Sequence, residues 1–445
     1  MLVLRSLVVF LSVQSLAATR NKLLLISFDG FSPVFAERVD TQAFSYLNTN
    51  GVRAKFVKTA FPTLTTPSHV TIATGLYSES HGVVHNLKFN RSHSGTNETF
   101  YTTLTENDWW DNGAEPIWIT AVKQGLRSGG YRFPGSYATY DGFRATKSIL
   151  DKEEEFSEDE WRMRVDGVMS WFVKDQMDVV ALYFEYPDLT CHELGMDSEV
   201  VTKQTIPLIN RTILYLLDKV KQNGLIDNLN IIITSDHGFE NVDQSVTEED
   251  VISLSRYVDE SLISFRLVEP FSPLALIDPV PGQLERVYNA LKDAHPKMDV
   301  YKKSELSERL HFKNNDRIPS IIILAHPGHE IYWKYPGYHK YKADHGFDNA
   351  LESMNAIYYS IGPSFKKNYV VEGFESVHIY PLMCHLLGIE PAVNNGSLDV
   401  LRETLVHEAK FDKTLWKEQI LVLSAFFLLV VGCLNYIGRK KPKLL

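Results

Sequence analysis

Residues 229–238 read LNIIITSDHG. Leu229 to Thr234 is a short apolar run closed by a polar, glycine-containing turn, which predicts a buried strand that delivers Asp236 and His237 just past its end. Two earlier stretches have the same form. KLLLISFDG at 22–30 ends in Asp29-Gly30, and DVVALYFEYPD at 178–188 ends in Asp188. Segments of helical spacing alternate with these runs, at Thr41–Leu47, Glu153–Lys174 and Leu208–Val220, the last with Gly224 as its stop. Near-continuous apolar strands alternating with helices predict an α/β fold, a mostly parallel central sheet with helices on both faces.

In such sheets ligands bind beyond the carboxyl ends of the strands. Taken singly, Asp29, Asp188 and Asp236 read as turn or helix-cap residues. Brought to one sheet edge, three carboxylates repel unless cations sit between them. Imidazoles stand at suitable spacing. Asp188 and His192 in DLTCH are four apart, His237 follows Asp236, and ADHGFDN at 343–349 adds His345. Oxygen and imidazole ligands without thiolate suit zinc in an open catalytic site, and manganese or other divalent ions are also allowed.

FPTLTTPSHVTIATGLYSESHGVVHN at 61–86 supplies the group to be activated. Pro67 fits a first helical turn, which puts Thr65 and Thr66 at the helix mouth, where backbone N–H groups favour an anion such as a phosphate oxygen. The plain reading is a pair of helix-capping threonines. Two metals about 4 Å apart would instead lower the pKa of the Thr65 hydroxyl and make it a nucleophile.

Five motifs stand in a characteristic order: FDG at 28–30, PTLTTPSH running into TGLYSESHG, EYPDLTCH, SDHG at 235–238 and DHGFDN at 344–349. In this the chain resembles the ectonucleotide pyrophosphatase/phosphodiesterase family of the alkaline phosphatase superfamily, over roughly Leu23 to Asn395, and looks most like its membrane-anchored types four and five. The resemblance implies an alkaline-phosphatase-like fold. It also implies two zinc ions, one held by Asp188, His192 and His345 and the other by Asp29, Thr65, Asp236 and His237. Asn86 falls where the family binds a phosphoryl oxygen, and Tyr183 where a tyrosine lines the substrate pocket. The implied reaction is hydrolysis of phosphodiester or pyrophosphate bonds in nucleotides or related small molecules, by attack of Thr65 and a covalent phosphothreonine ester. The chain departs from the pattern at Thr66, where most nucleotide-cleaving members carry a base-stacking phenylalanine, at Leu64 in place of a lysine, and at Tyr186 in place of a glutamate. A choline-type phosphodiesterase acting on glycerophosphocholine or lysophospholipid is the nearest alternative, and a catalytically weak cell-surface recognition protein is another.

The 445 residues, 44% hydrophobic, suffice for a large core. A formal charge of -10 excludes a nucleic-acid polymer as the expected ligand, since proteins that grip phosphate backbones concentrate basic charge. Residues 1–18 read as a secretory signal and 19–400 as an extracellular phosphodiesterase domain with a small α/β cap insertion at about 240–342. Residues 401–419 read as a stalk, the uncharged run 420–437 as one C-terminal transmembrane helix, and 438–445, with Arg439, Lys440, Lys441 and Lys443, as a cytoplasmic tail. The expectation is a single-pass type I protein of the plasma membrane with N-glycans at Asn90, Asn97, Asn210 and Asn395. Cys191 and Cys384 are the only cysteines outside the apolar run, so disulfides cannot be the main staple.

Overall fold

A computed structural model describes residues 21–406, apart from 39–40, 93–99, 151–155 and 269–272. In chain order its principal strands are β1 (Lys22–Phe28), β2 (Val52–Ala54), β3 (Ser128–Tyr131), β4 (Lys147–Ile149), β5 (Val179–Phe184), β6 (Leu229–Thr234), β7 (Ile263–Leu267), β8 (Leu274–Pro279), β9 (Met298–Lys302), β10 (Ile321–Ala325), β11 (Tyr358–Ile361) and β12 (Tyr369–Val371). The helices that matter to the site are α1 (Thr65–Thr74), α2 (Glu158–Val173), α3 (Asp188–Leu194), α4 (Ile206–Gln222) and α5 (Ile379–Leu387).

The three apolar runs form the centre of an eight-stranded sheet of order β12-β2-β11-β6-β1-β5-β3-β4. Only β11 runs against its neighbours. Side chains alternate between two apolar layers, as strands buried on both faces require. Leu23, Leu25, Val179, Ala181 and Ile232 face one layer with Val70 and Ile72 of α1 and Leu382 and Met383 of α5. Leu24, Ile26, Val180, Leu182, Ile231 and Ile233 face the other with Trp161 and Val165 of α2 and Ile209 and Ile213 of α4. Trp109, Trp110 and Trp118 are buried in the first layer. A second, four-stranded antiparallel sheet, β7-β8-β10-β9, turns Phe265, Leu276 and Ile322 toward that same layer and packs Ile277 and Ile323 against Val287 and Leu291 on its far side. Cys191 and Cys384 are both buried and free.

The expected transmembrane helix, and the single-pass type I plasma-membrane localisation that rested on it, are corrected. Among the described residues no helix is long and apolar enough to cross a membrane. The longest, α4, has 17 residues and carries Arg211, Asp218, Lys219 and Lys221, whereas a span needs about 20 predominantly apolar ones. An apolar run of sufficient length is a requirement for a span, and does not by itself make one. The 420–437 run lies outside the described residues, as do the 1–18 segment, the 438–445 tail and Asn97. Residues 401–406, expected to begin a stalk, fold back instead: Leu401 is fully buried and the Lys366 N–H donates to the Thr404 carbonyl at 2.9 Å.

Candidate metal centre and nucleophile

Parallel register brings the three aspartates to one edge. Phe28 pairs with Phe184 and Ser27 with Thr234, so Asp29, Asp188 and Asp236 all leave the sheet at its carboxyl end. The turn after β1 needs glycine. Gly30 has φ +66°, and a Cβ there would come within 2.4 Å of the Phe239 ring. That turn lets the Gly30 N–H donate to Asp236 Oδ1 at 3.0 Å, which fixes one oxygen of this carboxylate.

The three histidines are oriented by backbone carbonyls. His192 Nδ1 is 3.0 Å from the Ala343 carbonyl, His237 Nδ1 is 3.0 Å from that of Gly238, and His345 Nδ1 is 2.9 Å from that of Thr63. A carbonyl only accepts, so each Nδ1 carries a proton, and in the neutral ring each Nε2 presents a lone pair. Those lone pairs meet carboxylate oxygens: His192 and His345 lie 3.4 and 3.5 Å from Asp188 Oδ1, and His237 lies 3.4 Å from Asp29 Oδ1 and 3.2 Å from Asp236 Oδ2. The same three oxygens are buried without a hydrogen-bond partner. Lone pair facing lone pair at this distance is unfavourable unless a cation lies between, and backbone-anchored Nδ1–H groups are how metal-ligating imidazoles are held. Asp188, His237 and His345, and separately Asp29, Asp236 and His237, offer donor atoms within 4.8 Å of one another. His192, Asp344 and His345 form a third such group. The residues therefore fit divalent metal.

The titration behaviour of the bare site agrees at every one of these groups but His192. Burial, with Asp236 and Asp188 beside it, pushes the Asp29 carboxyl well above the usual carboxylate range, and burial raises Asp236 as well. Burial works in the same direction on Asp188, but His192, His345 and His237 hold it at about 2. Burial depresses His237 to about 4 and takes His345 well below its ordinary value. At His192 the burial penalty is outweighed by the Asp188 carboxylate, and the pKa rises to about 9. Asp29 and Asp236 thus resist ionisation, while two of the three imidazoles are kept in the neutral form that metals bind.

Thr65 is the first residue of α1, and its Oγ1 lies 3.4 Å from His237 Nε2. Neither Thr65 nor Thr66 caps the helix; Leu64 occupies the cap position and no side chain bonds there. The Thr66 N–H, expected to be open to an anion, donates to Asn86 Oδ1 at 2.7 Å. This bond fixes the Asn86 amide and leaves its Nδ2 buried with no partner. Tyr183 is 5% exposed, and its hydroxyl donates to Asp29 Oδ2, which places it beneath a carboxylate.

The structure adds residues that the sequence reading did not single out. His69, one turn past Thr65, bonds the Thr65 carbonyl; its four-residue spacing from Thr65, the same signal that paired Asp188 with His192, would have found it. Arg164 and Arg132 close on Glu185, between Tyr183 and Asp188, at 2.8 and 2.5 Å. No local spacing marks this contact.

Comparison with known proteins gives a consistent set of matches. The family model for type I phosphodiesterase / nucleotide pyrophosphatase matches residues 23–348. Human ectonucleotide pyrophosphatase/phosphodiesterase family member 7 is 41% identical over 395 residues, which cover 88% of this chain and 85% of that protein. Human bis(5'-adenosyl)-triphosphatase ENPP4 is 33% identical over 391 residues, 87% of this chain and 82% of that one. Among solved structures, an inactive threonine-to-alanine variant of murine ectonucleotide pyrophosphatase/phosphodiesterase 5 in complex with AMP superposes with a TM-score of 0.78 at 34% identity, covering 87% of this chain and 100% of that one.

Proposed function

The chain belongs to the ectonucleotide pyrophosphatase/phosphodiesterase family of phosphodiester-cleaving hydrolases, and from that premise we propose that it cleaves phosphodiester or pyrophosphate bonds of nucleotides through a covalent ester on Thr65. The observation that carries the reading is the set of three imidazoles anchored at Nδ1, with Nε2 aimed at unpartnered carboxylate oxygens beside the Thr65 hydroxyl. The names of two relatives support a nucleotide substrate, one being a dinucleoside triphosphatase and the other a complex with AMP.

Asp188, His192 and His345 would hold one cation, and Asp29, Asp236 and His237 with Thr65 the other. When bound, two divalent ions, zinc on this donor set, supply Lewis acidity at the Thr65 hydroxyl and at the phosphoryl oxygens. The protein's own part is positional. Thr65 Oγ1 gives up its proton to water and forms a bond to phosphorus as the bond to the leaving oxygen breaks, and the leaving group departs with the electron pair and takes a proton from water. Water then cleaves the Thr65 ester and restores the hydroxyl. Asn86 Nδ2, fixed by the Thr66 N–H, donates to the phosphoryl oxygen that gains charge. Tyr183 steadies Asp29.

Thr66 favours a second substrate class. It is fully buried and offers no aromatic face beside Thr65. A stacked base contributes about 1 to 3 kcal/mol where such a face exists. A small choline phosphodiester forgoes nothing by its absence. Export by the 1–18 segment and N-glycosylation at the exposed Asn90 and Asn395 complete the proposal.

The test is turnover of an aryl phosphodiester, a dinucleoside polyphosphate and glycerophosphocholine by the zinc-loaded protein and by Thr65→Ala. The expected result is loss of all turnover in a folded Thr65→Ala protein. Retained turnover with bound metal removes Thr65 from the role, and the ratio of the last two substrates separates nucleotide from choline ester.

A further inference from the structure

His69 is fully buried and belongs to neither ligand set, yet it contacts Thr65 of α1, Ser27 of β1, Tyr183 of β5 and Asp236. Its Nδ1 lies 2.7 Å from the Thr65 carbonyl and its Nε2 lies 2.9 Å from Ser27 Oγ. The carbonyl can only accept, so Nδ1 bears the proton; Nε2 is then an acceptor, and the Ser27 hydroxyl donates to it. One tautomer of a neutral ring satisfies both bonds.

The consequences are geometric. Ser27 stands two residues before Asp29 on β1. Nδ1 is also 3.4 Å from Asp236 Oδ2. The ring meets Tyr183 edge-on at 5.1 Å, and the Tyr183 hydroxyl donates to Asp29. In a helix the carbonyl of residue 65 already serves the backbone N–H of residue 69. The side-chain bond is a second restraint on the same carbonyl, applied at the one residue of the first turn whose hydroxyl must be aimed.

We propose that His69 is a positioning residue that locks the first turn of α1 to β1 and so holds the Thr65 hydroxyl in register with Asp29 and Asp236. The proposal rests on the reading of Thr65 given above. His69 itself does not reach substrate. A misplacement of about 1 Å at a reacting centre can cost about 100-fold in rate, which sets the size of the expected effect.

Three variants and one spectrum test it. In the metal-free parent, nitrogen-15 spectra of the His69 ring should show a protonated Nδ1 and an unprotonated Nε2. His69→Asn keeps an amide N–H near the position of Nδ1, whereas His69→Gln places its amide near Nε2 and His69→Ala keeps neither. On an aryl phosphodiester, His69→Gln and His69→Ala should lose kcat by about 100-fold with KM within about threefold, and His69→Asn should recover at least about tenfold over His69→Gln. If His69→Ala does not fold, the Asn and Gln pair and the parent spectrum decide. The proposal is overturned by an Nε2–H tautomer, by kcat of His69→Gln within about threefold of the parent, or by His69→Asn no better than His69→Gln. Turnover by Thr65→Ala would instead overturn the reading of Thr65 and the catalytic part of this proposal with it. That outcome is distinct from an inactive Thr65→Ala beside an active His69→Gln.

Discussion

Asn86 Oδ1 accepts the backbone N–H of Thr66 at 2.7 Å, and this one bond decides which end of the amide is left to donate. The N–H at the helix mouth is thereby consumed, and the free donor is Asn86 Nδ2. Asn86→Asp keeps an acceptor for Thr66 but replaces the donor by an anion beside a phosphoryl group. It should lose kcat by roughly 100- to 1,000-fold, the range seen for removal of one oxyanion donor. Its melting temperature should stay near the parent's. Asn86→Ala, which also strands the buried Thr66 N–H, should add a stability loss of about 1 to 3 kcal/mol. Steady-state kinetics beside thermal melts separate the two effects, and an Asn86→Asp protein with parental kcat removes Asn86 from the reaction.

Asp236 gives a prediction that changes sign with metal. Its Oδ1 accepts the Gly30 N–H, an interaction that an asparagine oxygen can keep. Its Oδ2 is buried without a partner near two other carboxylates, and burial raises its pKa. In a chelator Asp236→Asn should therefore melt above the parent, because one buried charge is gone. With zinc in excess the order should reverse, since metal that binds only the folded state adds about 2.7 kcal/mol at a hundred times its dissociation constant, and the variant has lost a ligand. The parent should lose all turnover in chelator and regain it on zinc addition. Melts that keep the same order with and without metal would show that Asp236 is not a ligand.

The edge where the chemistry sits was legible because it is written locally. Three apolar runs each end in an aspartate, and parallel pairing places such ends together whatever the exact register. The Asp188–His192 pair was legible through helical spacing on α3. What could not be read is what depends on contacts across the fold. Arg164, within α2, is buried at 1% exposure because its partner, Glu185, arrives from the end of β5. Tyr183 was placed in the substrate pocket by resemblance, but the strand turns its hydroxyl toward Asp29. The open N–H at the helix mouth was expected from α1 alone, and Asn86 occupies it from a loop 20 residues on. The expected membrane span rested on an apolar run and the basic residues after it, and among the described residues no helix is long and apolar enough to cross a membrane.

Arg164 and Glu185 form the next test. Arg164 Nη1 donates to Glu185 Oε2 at 2.8 Å and to the Tyr183 carbonyl at 3.0 Å, and Arg132 Nε meets Glu185 Oε1 at 2.5 Å. All three side chains are almost wholly buried. Arg164→Ala leaves the Tyr183 carbonyl short of a donor and Glu185 with one cation in place of two, and should cost about 3 to 5 kcal/mol. Arg164→Met with Arg132→Met and Glu185→Leu should cost less than Arg164→Ala alone, because it removes the Glu185 charge together with both of its cations. Chemical denaturation of the three proteins settles the order. A single variant within about 0.5 kcal/mol of the parent would mean that the network carries no stability.

Asp278 ties the antiparallel sheet to the loop beyond the nucleophile helix, and its titration makes that tie sensitive to acid. Its carboxylate accepts Arg91 Nε at 2.6 Å and Nη2 at 2.8 Å, and it also accepts the Ser320 N–H and hydroxyl at 2.8 and 2.7 Å. Burial works to raise its pKa, but Arg91 and Ser320 outweigh burial and hold the carboxyl below the usual range. A carboxyl depressed in the folded state contributes stability that is fully present above its unfolded pKa of about 3.9 and is lost as pH falls through the folded value. Asp278→Asn should therefore cost about 1 to 3 kcal/mol at neutral pH. The difference from the parent should shrink as pH drops below about 4. Urea titrations of both proteins at neutral pH and at successively lower pH measure it. A gap that stays constant into acid would show that the charge of Asp278 contributes nothing, and that only the shape of its hydrogen bonds matters.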